Sequence, residues 1–507
     1  MHRITRKADG GGRAIMVQGT MSGAGKSLIA AGLCRAFAQD GYSVAPFKSQ
    51  NMSLNSAVTP DGLEIGRAQA LQAAACGVPA EAAMNPILLK PTTDVGSQVI
   101  VMGKPVANMA ARDYFAYKTS LIPTVQAAFD SLAARHDIVV IEGAGSPAEI
   151  NLKHNDIVNM GLSKMVGAPV LLVGNIDCGG VFAQLVGTHV LLEDDERAML
   201  RACVINKFRG DVSLLQPGLD ELERRMGVPV AGVVPFTQLD LDDEDGFSAM
   251  RPVARPEALL DIAVVRLPHI SNFTDFDALA CIPEVGLRYV SRPEELGHPD
   301  LTIVPGSKAT LGDLAWMHER GFAPALRALA QAGGLVLGIC GGYQMLGRSI
   351  SDPGGVEGGG EAEGLGLLPV HTVFEGEKTL RRCEGVACTM PEALEPLSHL
   401  PLSGYQIHMG QTELVGGAPF ALLGDARKPD GCVARNVCGT YLHGLFDSVA
   451  FTQALIDLLL ARKGLAGTRI AAVDRNARRE HQLDQLAGTL RASLDMGLVY
   501  RILEEGI

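Results

Sequence analysis

Short apolar segments rich in β-branched residues recur through the first half of the chain, and each is followed by a stretch with helical periodicity. The segments are nearly continuous in apolar residues, as expected for parallel strands buried on both faces of a sheet. They lie at 14–18, 43–47, 138–142, 170–174, 202–206 and 230–234. The alternation predicts βαβ units and therefore a doubly wound α/β sheet.

A second α/β series follows, with strand-like segments at 261–266, 302–305, 334–339 and 439–442. Residues 240–256 separate the two series and combine an acidic cluster with two prolines, which is typical of a linker. A chain of 507 residues has room for two domains, since single cores seldom exceed roughly 250–300 residues. We predict a flexible tail at 1–13, a first domain at 14–240, a linker at 241–258, a second domain at 259–450 and a helical segment at 451–507.

Two later segments carry expectations of their own. The stretch 354–366 is so rich in glycine that we expect a flexible loop with no regular element. In the C-terminal helices, Arg475, Arg478 and Arg479 are expected to lie on a solvated face.

Composition and charge exclude several classes of protein. The net charge of −12 argues against a nucleic-acid partner, which requires basic patches. No apolar run reaches the ~18 residues that span a bilayer, and the polar N-terminus lacks the apolar segment of a secretion signal. The ten cysteines include no C-x-x-C pair, so we expect reduced thiols in a cytoplasmic protein.

A glycine-rich loop lies between the first predicted strand and a predicted helix at 27–39. It reads Gly-Thr-Met-Ser-Gly-Ala-Gly-Lys-Ser from Gly19 to Ser27. In such loops backbone N–H groups and a helix N-terminus bind phosphate oxygens. Lys26 is expected to reach the β- and γ-phosphates and the Ser27 hydroxyl to bind Mg²⁺. The residues predicted to bind ATP are Gly19, Thr20, Ser22, Gly23, Gly25, Lys26, Ser27 and Asn206, the last at a strand end.

A carboxylate follows at the end of the segment 138–142. Open α/β sheets bind ligands at the carboxyl ends of their strands, where Glu142 is placed. We therefore predict that Glu142 completes the Mg²⁺ site with Ser27. The alternative is an acidic side chain that faces solvent at a strand end.

The second half of the chain contains an elbow-like turn, Gly338-Ile-Cys-Gly-Gly342, between a predicted strand and a predicted helix. The helix N-terminus would stabilise a thiolate at Cys340. The backbone N–H of Gly341 is a natural oxyanion donor, and Gly306, after an earlier strand, is the candidate for a second donor. The alternative is a buried structural cysteine at a tight turn.

A thiol nucleophile needs a base, and His443 is the best candidate among twelve histidines. It follows the segment 439–442, in the same predicted domain as Cys340. His408 is the alternative candidate for the base. It could instead line the pocket. A chain with both a phosphate loop and a reactive thiol is expected to cut ammonia from glutamine and to spend ATP in fixing it as an amide.

The two halves, in this order, resemble the glutamine-hydrolysing adenosylcobyric acid synthase family over nearly the whole chain. The resemblance is carried by the loop spacing, which is also similar to that of dethiobiotin synthetase, and by the phrases at 46–53, 142–152, 206–211 and 405–410. It implies a dethiobiotin-synthetase-like ATPase domain followed by a class I glutamine amidotransferase domain. It also implies that Cys340 is the nucleophile and His443 the catalytic histidine.

The substrates that the resemblance implies are ATP, glutamine and a corrinoid. Four side-chain carboxylates (b, d, e and g) of adenosylcobyrinic acid a,c-diamide would become amides. Most class I domains carry His-x-Glu, but Leu445 stands two residues after His443. The third member of a triad is therefore open, with Asp447 or a simple Cys–His dyad as the alternatives.

Three other functional hypotheses are consistent with parts of this pattern. Cobyrinic acid a,c-diamide synthase has the same layout and other target carboxylates, and CTP synthase also joins an ATPase to a glutaminase. A partitioning P-loop ATPase with an inactive second domain would be a binding module rather than an amidotransferase. The sequence leaves the order of the amidations and the oligomeric state open, with a homodimer as one option.

Overall fold

The computed structural model describes residues 4–8, 10–93, 96–237, 239, 241, 255, 257–357 and 359–506. The chain divides into two compact units. Unit 1 comprises Met1–Ser53, Leu63–Glu244 and Arg479–Ile507, and unit 2 comprises Leu54–Gly62 and Asp245–Arg478. Most of the predicted linker at 241–258 lies outside the described residues. Within the described ranges, no helix is long and apolar enough to cross a membrane.

The first twelve strands and eight helices lie before residue 237. The strands are β1 (Arg13–Gly19), β2 (Val44–Phe47), β3 (Gln50–Met52), β4 (Ser56–Val58), β5 (Glu64–Gly66), β6 (Ile87–Thr93), β7 (Gly96–Val101), β8 (Lys104–Ala110), β9 (Ile138–Glu142), β10 (Val170–Asn175), β11 (Leu200–Phe208) and β12 (Val230–Pro235). The helices are α1 (Lys26–Gln39), α2 (Arg67–Ala75), α3 (Ala111–Tyr117), α4 (Ile122–Arg135), α5 (Met160–Val166), α6 (Val181–Leu191), α7 (Asp194–Met199) and α8 (Gln216–Met226).

Six parallel strands form the main sheet of unit 1, in the order β12-β11-β10-β1-β9-β2. β9 and β10 are buried at every residue, as expected where helices cover both faces of a parallel sheet. The predicted doubly wound α/β sheet is confirmed, and its six strands match the six apolar segments. Because β1 lies between β9 and β10, the carboxyl ends of these three strands meet at one edge.

Unit 1 also contains a four-stranded sheet in the order β3-β6-β7-β8. The β6–β7 and β7–β8 pairs are antiparallel. This sheet was not predicted from the sequence. Its last strand is largely exposed and therefore lacks the continuous apolar run of a strand buried on both faces.

The described residues after 259 form thirteen further strands and seven further helices. The strands are β13 (Leu260–Val265), β14 (Val285–Val290), β15 (Leu301–Val304), β16 (Leu335–Ile339), β17 (Ser349–Asp352), β18 (Gly360–Glu363), β19 (Val370–Ala387), β20 (Pro401–Leu414), β21 (Ala421–Leu423), β22 (Lys428–Asp430), β23 (Cys432–Ala434), β24 (Val437–Thr440) and β25 (Leu442–His443). The helices are α9 (Asp277–Ala280), α10 (Thr310–Glu319), α11 (Phe322–Gln331), α12 (Gly341–Leu346), α13 (Val449–Arg462), α14 (Arg475–Ser493) and α15 (Met496–Glu505).

Unit 2 is built on a second α/β sheet, in the order β14-β13-β15-β16-β24-β23. All neighbours are parallel except β23, which pairs with β24 in the antiparallel sense. Three of the four predicted segments appear here as β13, β15 and β16, and the last one is divided between β24 of this sheet and β25 of another. A further sheet contains the long antiparallel pair β19–β20 and carries β25 at its end, so Tyr405 of β20 lies opposite His443.

The expectation that the glycine-rich stretch 354–366 contains no regular element is wrong. Residues 360–363 form β18, which pairs with β17 in the antiparallel sense. The buried carboxylate of Asp352 organises the preceding turn by accepting the N–H groups of Val356, Glu357 and Gly359 at 2.8, 2.7 and 2.9 Å. The side chain of one aspartate therefore supplies the order that the glycines do not.

The helical segment predicted at 451–507 divides between the two units. Helix α13 belongs to unit 2, whereas the chain from Arg479 onward belongs to unit 1. Within unit 1, a β-carbon at Gly32 of α1 would lie 2.5 Å from Leu490 Cδ1, and Arg491 pairs with Asp40 at 2.9 Å. The last helices thus pack directly on the helix that follows the phosphate loop.

Two other expectations concern the ends of the chain. Arg475, Arg478 and Arg479 are half-buried, so the prediction of a solvated face is wrong. In the stretch predicted as a tail, Ile4 is buried and Arg6 pairs with Asp137 at 3.1 Å.

Candidate active sites

The phosphate loop of unit 1 runs from the end of β1 at Gly19 to the start of α1 at Lys26. Gly23 and Gly25 have φ angles of 70° and 92°, which only glycine adopts without strain. The Thr20 N–H donates to Val173 O at 2.9 Å, which ties the loop to β10. Ser22 and Gly23 form its exposed tip. The loop therefore presents backbone to solvent in front of a helix N-terminus, as phosphate binding requires.

Lys26 is nearly buried, and its side chain folds back across the loop. Its Nζ donates to Met21 O and to Gly145 O, both at 3.1 Å. Gly145 lies just after β9, so the lysine bridges two strand ends of the main sheet. The ammonium group is thereby held over the surface where phosphate oxygens would lie.

Glu142 ends β9 with its carboxylate beside the loop, as predicted from its position. Oε1 accepts from Ser27 Oγ at 2.8 Å and from Lys48 Nζ at 2.9 Å, and Oε2 accepts from Gln72 Nε2 at 2.6 Å. Burial alone would raise the pKa of Glu142, but the charge of Lys48 and these hydrogen bonds lower it below its ordinary value. The carboxylate is therefore ionised at neutral pH.

The donors at this point suit Mg²⁺. Mg²⁺ takes oxygen ligands and is usually bound by one or two protein groups with phosphate oxygens and water. Ser27 and Glu142 supply such oxygens, and Gln72 Oε1 is buried without a hydrogen-bond partner next to them. Phosphate oxygens and water would complete such a site, as is usual for Mg²⁺. No cluster of three or more His, Cys, Asp or Glu side chains that could hold a metal occurs in the described part of the chain.

Asn206, predicted to bind the nucleotide, braces the loop from β11. Its Nδ2 donates to Ala24 O at 2.9 Å, and a β-carbon at Gly25 would lie 2.1 Å from the same nitrogen. The next residue, Lys207, donates to Gly23 O at 2.9 Å. Lys48 and Gln72 were not predicted from the sequence as neighbours of Glu142. The position of Lys48 near Glu142 could have been predicted, since Lys48 directly follows an apolar strand of the same sheet.

Cys340 of unit 2 lies between β16 and α12 in a sharp turn. Its φ and ψ are 52° and −111°, outside the regions that L-residues prefer, and its N–H donates to Thr440 O at 2.8 Å. A β-carbon at Gly342 would lie 1.9 Å from Val304 O. The elbow therefore needs glycine after the cysteine, and strain at Cys340 is typical of a functional position.

The two predicted oxyanion donors lie on neighbouring turns. A β-carbon at Gly341 would be 2.8 Å from Ser307 N, and one at Gly306 would be 3.4 Å from His443 Cε1. The Gly306 turn thus lies next to both the elbow and the histidine. Ser307 Oγ donates to the buried carboxylate of Asp313 at 2.6 Å, which holds this turn in place.

His443 lies at the end of β25, buried and paired with a carboxylate that the sequence analysis did not name. Its Nδ1 donates to Asp275 Oδ2 at 2.6 Å, and the Gly444 N–H donates to Asp275 Oδ1 at 3.0 Å. Burial lowers the pKa of an imidazole, but the charges of Asp275 and of the Cys340 sulfur, which also bonds to the ring, raise the pKa of His443 to about 10. The three side chains form a Cys–His–Asp arrangement.

Asp447, the residue considered as the third member of a triad, has a different partner. Asp447 pairs with Arg475 at 3.4 Å. Asp275 is 168 positions before His443, so no local motif pointed to it.

His408, the rival base, has a different environment. Its ring stacks on Tyr441 with centroids 3.7 Å apart, and Nδ1 donates to Gly410 O at 2.8 Å. Burial lowers the pKa of His408 to about 4, so the ring is neutral at physiological pH. The geometry therefore favours a role for His408 in lining the site.

Comparisons with known proteins cover nearly the whole chain. Residues 15–245 match a CobQ/CobB/MinD/ParA nucleotide binding domain, and residues 261–451 match a CobB/CobQ-like glutamine amidotransferase domain. The cobyric acid synthase of Ruminiclostridium cellulolyticum is 52% identical over 97% of both chains. Those of Yersinia enterocolitica and Salmonella typhimurium are 51% and 50% identical over 97% of this chain and 98% and 99% of theirs. This chain therefore belongs to the cobyric acid synthase family.

Proposed function

We propose that this protein is a glutamine-hydrolysing ligase that uses ATP to amidate the b, d, e and g side-chain carboxylates of adenosylcobyrinic acid a,c-diamide, giving adenosylcobyric acid in cobalamin biosynthesis. The observation that carries the proposal is the presence of two complementary sites in one member of this family. Unit 1 holds a phosphate loop with Ser27 and Glu142 in contact, and unit 2 holds Cys340, His443 and Asp275.

In the glutaminase reaction, Cys340 acts as the nucleophile. Its thiolate attacks the side-chain carbonyl carbon of glutamine, and the N–H groups of Gly341 and Gly306 stabilise the oxyanion that forms. The protonated ring of His443 delivers a proton to the departing ammonia, which leaves a thioester on Cys340. Water, deprotonated by His443, hydrolyses the thioester to release glutamate. Asp275 holds the ring in the orientation that both steps need.

In the ligase reaction, unit 1 turns a carboxylate into an electrophile. A substrate carboxylate oxygen attacks the γ-phosphorus of ATP, and ADP leaves with the electron pair of the broken bond. Ammonia then displaces phosphate from the acyl phosphate to form the amide. Lys26 and the loop N–H groups neutralise charge on the phosphates, and Ser27 and Glu142 would hold Mg²⁺. When bound, the ion would supply positive charge that offsets the charge of the phosphate groups.

Partner and compartment form part of the proposal. The family suggests a corrinoid as the acceptor substrate. We assign the reaction to the cytoplasm, where ATP and glutamine are available, and the ten free cysteines suit a reducing compartment.

The direct test incubates the protein with Mg-ATP, glutamine and adenosylcobyrinic acid a,c-diamide and follows the corrinoid by mass spectrometry. Four successive replacements of a hydroxyl by an amino group are expected. An unchanged corrinoid together with active glutamine hydrolysis would reject this substrate and favour cobyrinic acid as the next to try. Absence of glutamine hydrolysis would favour the partitioning ATPase with an inactive second domain.

The division of labour between the units has its own test. Cys340→Ala is expected to abolish amidation fed by glutamine and to spare amidation fed by free ammonia at high concentration. Loss of both activities in a folded variant would contradict separate sites. Lys26→Ala is the complementary variant, expected to lose both amidation reactions and to keep glutamine hydrolysis.

A further inference from the structure

Two short turns lie at the thiol site, one containing the carboxylate and the other following the histidine. The aspartate turn, Phe273–Phe276, contains Asp275, and the histidine turn, Leu445–Asp447, begins two residues after His443. Asp275 joins them from the inside, because one oxygen accepts the ring N–H of His443 and the other accepts the N–H of Gly444. Each turn is a single 3-10 helix of three or four residues. The distance between carboxylate and ring therefore depends on how these turns are held together.

A second link joins the same turns from the outside. Arg475, the first residue of α14, donates from Nη1 to Thr274 O at 3.1 Å and to Asp447 Oδ1 at 3.4 Å. Its Nη2 donates to Asp277 Oδ2 at 2.7 Å, directly after the aspartate turn. The side chain is only 14% exposed. One guanidinium group thus contacts acceptors on both turns. Thr274 and Asp277 lie within two residues of Asp275 in the chain, and Asp447 lies four residues after His443.

The chemistry of the link favours arginine. A guanidinium offers five N–H donors in a rigid plane, so it can serve three acceptors at fixed angles, whereas an ammonium is a single point with three donors. Asp277 and Asp447 bind the same group and therefore lie close together as like charges. Without the guanidinium they would repel each other, and Thr274 O would lose this donor. Removal of Arg475 should then let the two turns separate.

We propose that Arg475 is a positioning residue of the glutaminase, which fixes Asp275 against His443 without touching the reacting atoms. The proposal rests on the glutaminase activity proposed above. That activity is established first, as glutamine hydrolysis that Cys340→Ala abolishes. Its absence from the wild-type protein would count against the proposed function, whereas the kinetics of the Arg475 variants bear only on the positioning role, so the two proposals fail separately.

The test measures steady-state glutamine hydrolysis by full-length Arg475→Ala. Because the defect lies in the orientation of the ring, kcat is expected to fall about 10- to 100-fold while KM for glutamine stays at the wild-type value. Guanidinium ion, added at concentrations far below those that unfold proteins, should restore part of kcat. The matched control is Arg462→Ala, which removes an exposed arginine of the same unit that donates to Gly333 O and should leave kcat unchanged.

A spectroscopic readout separates positioning from general support of the fold. The proton shared by His443 Nδ1 and Asp275 should give a downfield NMR resonance that weakens in Arg475→Ala and returns with guanidinium. If Arg475→Ala does not fold, Arg475→Lys tests the same point, since it keeps the charge and loses the planar donors. An intermediate kcat with unchanged KM supports the proposal. A wild-type kcat in either variant, or a loss that guanidinium does not restore while the resonance persists, would overturn it.

Discussion

At the scale of single residues, the least expected feature is the carboxylate that orients the catalytic histidine. Asp275 and His443 are both almost fully buried and lie 2.6 Å apart. In the His-x-Glu pattern of related domains the acid comes two residues after the histidine, a position that Leu445 occupies here. The orientation of the histidine ring is therefore provided by a residue from an earlier turn of the same unit. This role of Asp275 can be tested directly.

Asp275→Asn should reduce kcat for glutamine hydrolysis by roughly 10²–10⁴-fold, because an amide cannot stabilise the imidazolium or enforce the productive tautomer. Amidation fed by free ammonia should continue. Asp447→Asn, which tests the other candidate, should cost about fivefold or less, because the Asp447 side chain is 32% exposed and asparagine keeps an oxygen that can accept from Arg475. Steady-state assays of both variants decide the matter. A larger loss in Asp447→Asn than in Asp275→Asn would show that the assignment is wrong.

The pH dependence of stability follows from the same pair. The pKa of His443 is about 10 in the folded chain, against about 6.5 for an unperturbed histidine. Since the folded state holds the proton more tightly, the stabilisation is fully present below about pH 6.5 and is lost as the pH rises through about 10. The melting temperature of unit 2 should therefore fall over this range by calorimetry. Asp275→Asn should show a much weaker dependence, and equal slopes would exclude the ion pair as the cause.

At the scale of elements, the phosphate loop depends on backbone geometry that side chains would block. Gly25 has a φ of 92°, and a β-carbon there would lie 2.1 Å from Asn206 Nδ2. Helix α1 starts at the next residue, so a distortion at Gly25 would move the N–H groups at its N-terminus. Asn206 thus contributes to the shape of the loop.

Gly25→Ala should weaken Mg-ATP binding and destabilise unit 1 by about 1–3 kcal/mol, the usual cost of a strained backbone position. Gly488→Ala is the matched control, since no heavy atom lies within 4 Å of its added β-carbon in the middle of α14. It should stabilise the chain by about 0.5–1 kcal/mol. Titration calorimetry and thermal melts measure the two effects. Unchanged ATP affinity in Gly25→Ala would contradict the role of this glycine.

At the scale of the whole molecule, the chain returns to its first unit after completing the second. Residues 479–507 belong to unit 1, and Leu490 is fully buried against α1. The same face is tied by Arg35 to Asp484 at 2.7 Å and by Arg491 to Asp40. The helix behind the phosphate loop is thus supported by the C-terminal end of the chain.

Leu490→Ala should destabilise unit 1 by about 2–5 kcal/mol, because it removes a core side chain and leaves a cavity. The melting transition that Mg-ATP raises should move down, while the transition reporting on the glutaminase unit should stay in place. Calorimetry with and without Mg-ATP separates the two transitions. If only the glutaminase transition shifted, the assignment of the last helices to unit 1 would be wrong.

The sequence by itself determined the two α/β sheets, the phosphate loop and the elbow at Cys340. Each rests on a pattern that is complete within a few residues: a buried strand, a glycine turn and a helix N-terminus. The position of Glu142 could also be predicted, because the carboxyl ends of parallel strands meet at one edge of the sheet. His443 was predicted at the end of the segment 439–442, but the strand it ends, β25, pairs with β20 in the antiparallel sense in another sheet.

The tertiary structure alone decided the partners of those residues. The contacts lie between Asp275 and His443, between Gln72 and Glu142, and between Arg475 and the two turns. Each joins segments that are far apart in the chain. Such contacts depend on how turns and helices pack against one another, and the periodicity of a short segment does not specify that packing. The antiparallel pairs and the return of the last helices to unit 1 were missed for the same reason, since their strands and helices are specified by the surfaces that they cover.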